Sequence, residues 1–223
     1  LKPLPEGLLN RAELIHSMTR RLRQMNRGKL FVISGPSGAG KSTVITRLLK
    51  QLNNVYFSIS ATTREPRRGE RDGIDYHFMQ KEEFERMLAN NELLEHAEYV
   101  GNYYGTPAKP VDEKLAAGYD VILDIETKGA EQVMKNRPEA IGIFLFPGSF
   151  AVLEERLRLR STDSEDKILK RLAQARVECK KAQMYRYIII NDRVETACDE
   201  AIAIITAEKC KTAERLHYLE EEN

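Results

Sequence analysis

The chain has few cysteines, no long apolar run and almost no excess of charge, and each shortage excludes a class of function. Cys179, Cys198 and Cys210 are the only three in 223 residues, and no C-x-x-C pair or histidine stands near them at metal-ligand spacing. They read as reduced thiols rather than a disulfide framework or a zinc site, and the expected location is the cytoplasm. No apolar stretch approaches the roughly 18 residues that a membrane-spanning helix needs, so no membrane partner is expected. Lys and Arg number 35 against 34 Asp and Glu. A balance this even argues against a broad basic track for nucleic acid, so any cationic function has to be local.

What is present is one specific phosphate-binding pattern. Gly35-Pro36-Ser37-Gly38-Ala39-Gly40-Lys41-Ser42 fits G-x-x-x-x-G-K-[ST], with the apolar run Leu30-Phe31-Val32-Ile33 before it and a helical pattern over residues 42–52 after it. In such a loop the glycines let successive N–H groups turn inward onto phosphate oxygens, and the following helix aims its positive end at the anion. The pattern assigns Lys41 to the β/γ-phosphates of a nucleoside triphosphate and the Ser42 hydroxyl to Mg²⁺.

Apolar runs alternate with helical patterns along the chain. Strands are expected at 30–34, 56–60, 121–125, 141–146 and 187–191, and helices at 42–52, 111–117, 129–135, from 149 through 160, from 167 to about 185, and over 193–219. This alternation predicts an α/β fold, a P-loop nucleotide-binding core whose parallel sheet is covered by helices. Between 62 and 105 the pattern changes to a polar, turn-rich stretch, a helix near 82–88 and two short strands around the Gly101-Asn102 turn signal, as in a small, mostly antiparallel insertion. The organisation expected is an amphipathic helical extension at 1–27, core at 28–61, insertion at 62–105, core at 106–152, a helical lid at 153–175, and core with a terminal helix at 176–223.

The insertion concentrates phosphate-binding and base-reading side chains. Ser58-Ile59-Ser60-Ala61-Thr62-Thr63-Arg64-Glu65-Pro66-Arg67, then Gly69-Glu70, Asp72-Gly73, Asp75-Tyr76, Leu94-Glu95, Gly101-Asn102-Tyr103-Tyr104-Gly105-Thr106 and Leu123-Asp124-Ile125, closely resemble the guanylate kinases in order and spacing. The resemblance runs from about Gly28 to about Glu208. It implies the reaction ATP + GMP giving ADP + GDP, with dGMP a further candidate substrate. It also implies that Arg64, Arg67, Tyr76 and Tyr104 hold the GMP phosphate, that Glu95 accepts the guanine N1–H and 2-amino donors, and that Ser60 and Thr106 lie near O6.

By the same resemblance Arg156, Arg160 and Arg171 are lid arginines facing the transferred phosphoryl group, Asp124 lies near Mg²⁺ and the nucleotide, and Asn191 belongs to a loop near the adenine. GMP's phosphate is already an anionic nucleophile, so the chemistry needs positioning and cations rather than a general base. His77 and His96 are therefore expected to be non-catalytic, and Arg158 to be a solvated surface residue. Glu126, Lys128, Gly148, Ser161 and Arg186 depart from the family pattern. A phosphopeptide-binding module of the same fold, a kinase for a phosphorylated sugar and a nucleic-acid-dependent ATPase remain alternatives, and the oligomeric state stays open between monomer and homo-oligomer.

Overall fold

A computed structural model describes residues 27–159 and 164–219. The helix expected within 1–27, apart from Arg27 itself, and the positions of Arg160 and Ser161 lie outside the described residues. The apolar run at the head of the phosphate loop forms β1 (Leu30–Ser34), buried at every position. Such a run, with no polar alternation, suits a strand covered on both faces. It is followed by α1 (Lys41–Gln51), β2 (Val55–Phe57), β3 (Ala61–Thr62), β4 (His77–Phe78), α2 (Lys81–Ala89), β5 (Leu93–Tyr99), β6 (Asn102–Pro107) and α3 (Ala108–Ala116). Then come β7 (Asp120–Asp124), α4 (Thr127–Asn136), β8 (Ile141–Phe146), α5 (Phe150–Leu159), α6 (Glu165–Lys180), β9 (Tyr187–Ile190), α7 (Val194–Lys209) and α8 (Thr212–Arg215).

Five strands form a wholly parallel sheet in the order β2-β7-β1-β8-β9. Alternate residues of β1 feed two cores. Phe31 and Ile33 pack with Val44, Leu48, Ala197 and Ile205 from α1 and α7, while Leu30 and Val32 pack with Val111, Leu115, Ala130 and Val133 from α3 and α4. Because β1 is central, with the consecutive strands β7 and β8 on its two sides, its carboxyl end opens into the crevice where the strand order reverses, the usual ligand position in such sheets.

A second sheet, β4-β3-β6-β5, is antiparallel at β3·β6 and β5·β6 and parallel only at β3·β4. The strand expected at 56–60 thus ends at Phe57, and the next one, β3, starts at Ala61 in the other sheet. Ser58 N–H still bonds Ile122 O at 3.0 Å, after which the chain leaves the parallel sheet and re-pairs at Ala61 with His77 and Gly105.

The terminal helix expected over 193–219 also breaks, with α7 ending at Lys209 and α8 starting at Thr212. Tertiary anchors override the helical pattern here. Lys211 Nζ turns back to Glu208 Oε1 at 2.7 Å, Arg215 Nε caps Lys209 O at 3.2 Å, and Lys29 Nζ pairs with Glu214 at 2.6 Å. Glu208 is 1 % exposed and also accepts Tyr187 OH at 2.7 Å and Arg186 Nη1 at 3.2 Å. The Arg186 departure therefore has a physical reason, as one of three donors to a buried carboxylate. Gly148, another departure, takes φ 89°, which the ring of a proline forbids.

Burial pushes the Glu208 carboxyl up, but its hydrogen bonds from Lys211, Tyr187 and Arg186 outweigh that and hold it below the ordinary value. A lowered folded value means the stabilisation is complete above the ordinary carboxylate range and disappears as pH falls through the folded value. Glu208→Gln is expected to cost about 1–2 kcal/mol near neutral pH. Urea unfolding should show a gap between parent and variant that narrows in acid.

Candidate active site

The phosphate loop is cast against its neighbours at close range. A Cβ at Gly35 would collide with Leu145 O of β8, and one at Gly40 with the Asn191 amide after β9. Gly40 also takes φ 89°, ψ 20° as the residue before α1, a left-handed conformation that costs glycine nothing. Side chains close the loop from outside. Lys41 Nζ rests on Gly35 O at 2.8 Å, Asn191 Nδ2 on Ala39 O at 2.7 Å, and Arg156 on Asn191 O at 2.9 Å and Ala39 O at 3.4 Å. Arg171 of α6 meets the Ser37 hydroxyl. Two of the three expected lid arginines thus reach the loop, and the third, Arg160, lies outside the described residues.

Arg158 corrects an expectation. It is exposed but not merely solvated, since it bonds Glu154 at 2.7 Å and both Glu165 oxygens at 2.5 and 2.7 Å, tying α5 to α6. Beside the start of α1, Ser42, Thr43, Thr46, Arg47, Lys50, Gln51 and Val194 line an open groove of about 590 Å³.

A second cavity, of about 250 Å³, lies between the four-stranded sheet and the end of β7. Ser60, Tyr76, Glu95, Ala97, Tyr99, Tyr104, Gly105, Asp124, Ile125, Glu126 and Gly129 line it. The period-2 alternation of β5 puts 95, 97 and 99 on the cavity side. Glu95 is 6 % exposed, and its Oε1 accepts the Thr106 hydroxyl at 2.7 Å. Its other oxygen lies where a Cβ of Gly129 would be, in the first turn of α4. Thr106 is therefore engaged by the carboxylate, so its oxygen is shared with any base it faces.

Burial raises the Glu95 carboxyl to about 7, the Thr106 hydrogen bond opposes this, and the charge of Glu126 adds to it. Glu126 is the residue preceding the first turn of α4.

Asp124 ends β7 and belongs to both halves of the cleft. It lines the cavity, and its carboxyl is raised by burial while the charge of Lys41 pulls it back down. A carboxylate and a hydroxyl, Asp124 and Ser42, suit a hard cation that keeps most of its ligands as water and phosphate oxygens. No cluster of three His, Cys, Asp or Glu able to hold a metal occurs among the described residues.

Arg64 forms a two-pronged ion pair with Glu70, both contacts 2.9 Å, and its guanidinium carbon lies 5.4 Å from the Tyr76 ring centre. Tyr76 and Tyr104 meet edge-on at 6.1 Å. Arg67 is exposed and outside the cavity wall, although its backbone N–H bonds Glu70 Oε2 at 2.7 Å. Glu70, which the sequence motif includes without a role, is thus a positioning group, and the signal for it is its place in the turn that begins at Arg64.

Two more residues emerge only in three dimensions. Gln132 of α4 exchanges hydrogen bonds with the His96 backbone, at 3.2 and 2.8 Å, and so holds β5 beside Glu95. Glu178 of α6 is raised by burial and lies in the fields of Glu126, Lys41 and Lys128, with Gln174 donating to it at 3.0 Å. His96 is exposed.

The guanylate kinase family profile matches residues 27–208. A guanylate kinase of Carboxydothermus hydrogenoformans is 52 % identical over 194 residues, covering 87 % of this chain and 95 % of its own. One of Halalkalibacterium halodurans is 47 % identical over 201 residues, covering 89 % and 98 %. The crystal structure of guanylate kinase from Anaplasma phagocytophilum superposes with a TM-score of 0.69 at 35 % identity, covering 85 % of this chain and 90 % of that one. With a phosphate loop at one end of the cleft and a buried carboxylate at the other, the chain belongs to the guanylate kinase family of ATP:GMP phosphotransferases.

Proposed function

We propose that the two halves of the cleft divide the substrates, with ATP on residues 35–42 and GMP in the 250 Å³ cavity. The observation that carries this reading is Glu95, a carboxylate held by Thr106 and aimed into a cavity whose far end, Asp124, feels the charge of Lys41. Guanine offers an N1–H and an amino group on one edge, a donor pair that a carboxylate accepts with both oxygens. Adenine has no such pair, and a buried carboxylate left unmatched by the wrong base is costly. Ser60 supplies a hydroxyl for the remaining edge, and Arg64, Arg67, Tyr76 and Tyr104 take the phosphate. Glu70 fixes the direction of the Arg64 fork.

Lys41, Arg156, Arg160 and Arg171 would offset the charge that gathers as GMP's phosphate approaches the γ-phosphorus. Closure of 153–175 would exclude water, the competing acceptor. Mg²⁺ would be held by Ser42, with Asp124 beside it, and supplies charge neutralisation to the triphosphate when bound. The segments 62–105 and 153–175 would move as a GMP-binding unit and a lid on the remaining core. Among the described residues no helix is long and apolar enough to cross a membrane, and we place the enzyme in the cytoplasm on its three unpaired thiols.

Measuring ADP release with GMP, AMP, CMP and UMP as separate acceptors tests the division. GMP should be strongly preferred, and AMP used equally well would contradict the Glu95 assignment. Glu95→Gln, which keeps the shape but loses the charge, is expected to lower kcat/KM for GMP by about 10- to 100-fold.

The pH dependence has a defined sign. Below about 7 the free enzyme carries Glu95 protonated, unable to accept both guanine donors, so KM for GMP should fall as pH rises through that value. The second ionisation of a phosphate monoester near 6 contributes its own limb. That limb should survive in Glu95→Gln, while the one near 7 disappears.

A further inference from the structure

We infer that Asn191 is a positioning residue of the phosphate loop, acting on the peptide between Ala39 and Gly40 rather than only on a nucleoside. Its side chain is 1 % exposed, and Nδ2 donates to Ala39 O at 2.7 Å. A carbonyl only accepts, so this contact fixes which way the amide is turned and leaves Oδ1 buried without a protein partner. The Asn191 backbone is itself held, its N–H on Phe146 O at 2.7 Å and its carbonyl under Arg156 at 2.9 Å. The donor therefore stands on a rigid strand end rather than on a mobile loop.

The effect on the loop follows from peptide geometry. In a trans peptide the C=O and N–H point in opposite directions. Holding Ala39 O outward onto Asn191 sends the Gly40 N–H the other way, toward the phosphate side. Gly40 is the residue at which the opposite orientation would cost least, because it tolerates either sign of φ. Without Asn191 only the longer Arg156 contact would hold the Ala39 carbonyl outward, and a turn of this peptide would replace an N–H facing the phosphates with an oxygen. The fit is mutual, since a side chain at Gly40 would strike the Asn191 amide. Arg156 donates to the same carbonyl at 3.4 Å, a longer and secondary contact.

The inference rests on residues 35–42 being the triphosphate cradle, and the test separates the two. Magnesium tripolyphosphate, which has the phosphates but no base or ribose, is titrated calorimetrically into the full chain beside ATP and GMP. Asn191→Asp keeps the shape and removes the donor, and Asn191→Ala removes it without burying a charge, so the second reports if the first fails to fold. The expected result is that ATP and tripolyphosphate weaken by the same factor, about tenfold, the size of one lost buried hydrogen bond. GMP affinity should stay at the parent value. Weaker ATP with unchanged tripolyphosphate would make Asn191 a nucleoside contact and overturn the inference, as would no change in either ligand. A parent protein that binds no tripolyphosphate would overturn the cradle assignment and this inference with it.

Discussion

A phosphate loop works only while its amides face the ligand, and backbone this rich in glycine does not hold such an arrangement unaided. Here the restraint comes from outside the loop. Gly35 is pressed against the Leu145 carbonyl of β8, Gly38 against the Leu153 and Leu157 side chains of α5, and Gly40 against Asn191 after β9. The order of the parallel sheet matters for this reason, because it brings β8 alongside β1 and β9 next to β8, and lets late parts of the chain brace an early loop. Local sequence makes the turn feasible, and tertiary packing selects one orientation of it.

The other end of the cleft is governed by burial of negative charge. Glu95 sits against the first turn of α4, where the positive end of a helix favours the ionised form, while desolvation and Glu126 favour the neutral one. The result is a carboxyl balanced near neutrality instead of one permanently ionised. A group balanced this way avoids the full penalty of a buried charge in the empty site and gains most from a ligand that brings two donors. Gln132, by gripping the His96 backbone from α4, keeps the distance between helix and strand on which that balance depends.

Much of the fold was legible because the signals were local. The apolar run of β1, the glycines of the loop and the alternation of strands with helices each specify their element within a short window. The early end of the strand expected at 56–60 was not legible, because leaving one sheet for another after Ser58 is decided by partners far along the chain at Ile122, His77 and Gly105. The break after Lys209 was hidden similarly, by contacts from Lys29, Arg215 and Glu208. Of the candidate site, the residues came from the resemblance to the guanylate kinases in order and spacing. The partners of those residues were not, since Glu70 on Arg64, Thr106 on Glu95 and Asn191 on Ala39 are facts of side-chain direction.

Those partners show that the two ends of the cleft hold their cations in different ways. Lys41 and Arg156 rest on neutral carbonyl oxygens, and neither forms an ion pair among the described residues. A carbonyl binds a cation less strongly than a phosphate oxygen does, so such a group keeps its charge and can shift to an anion without breaking an ion pair. Arg64 is instead neutralised by both oxygens of Glu70. An arginine held like that has a fixed direction but little net charge left to offer. Direction suits a monophosphate that must present one oxygen in line, and unspent charge suits the phosphoryl group that has to cross between two anions.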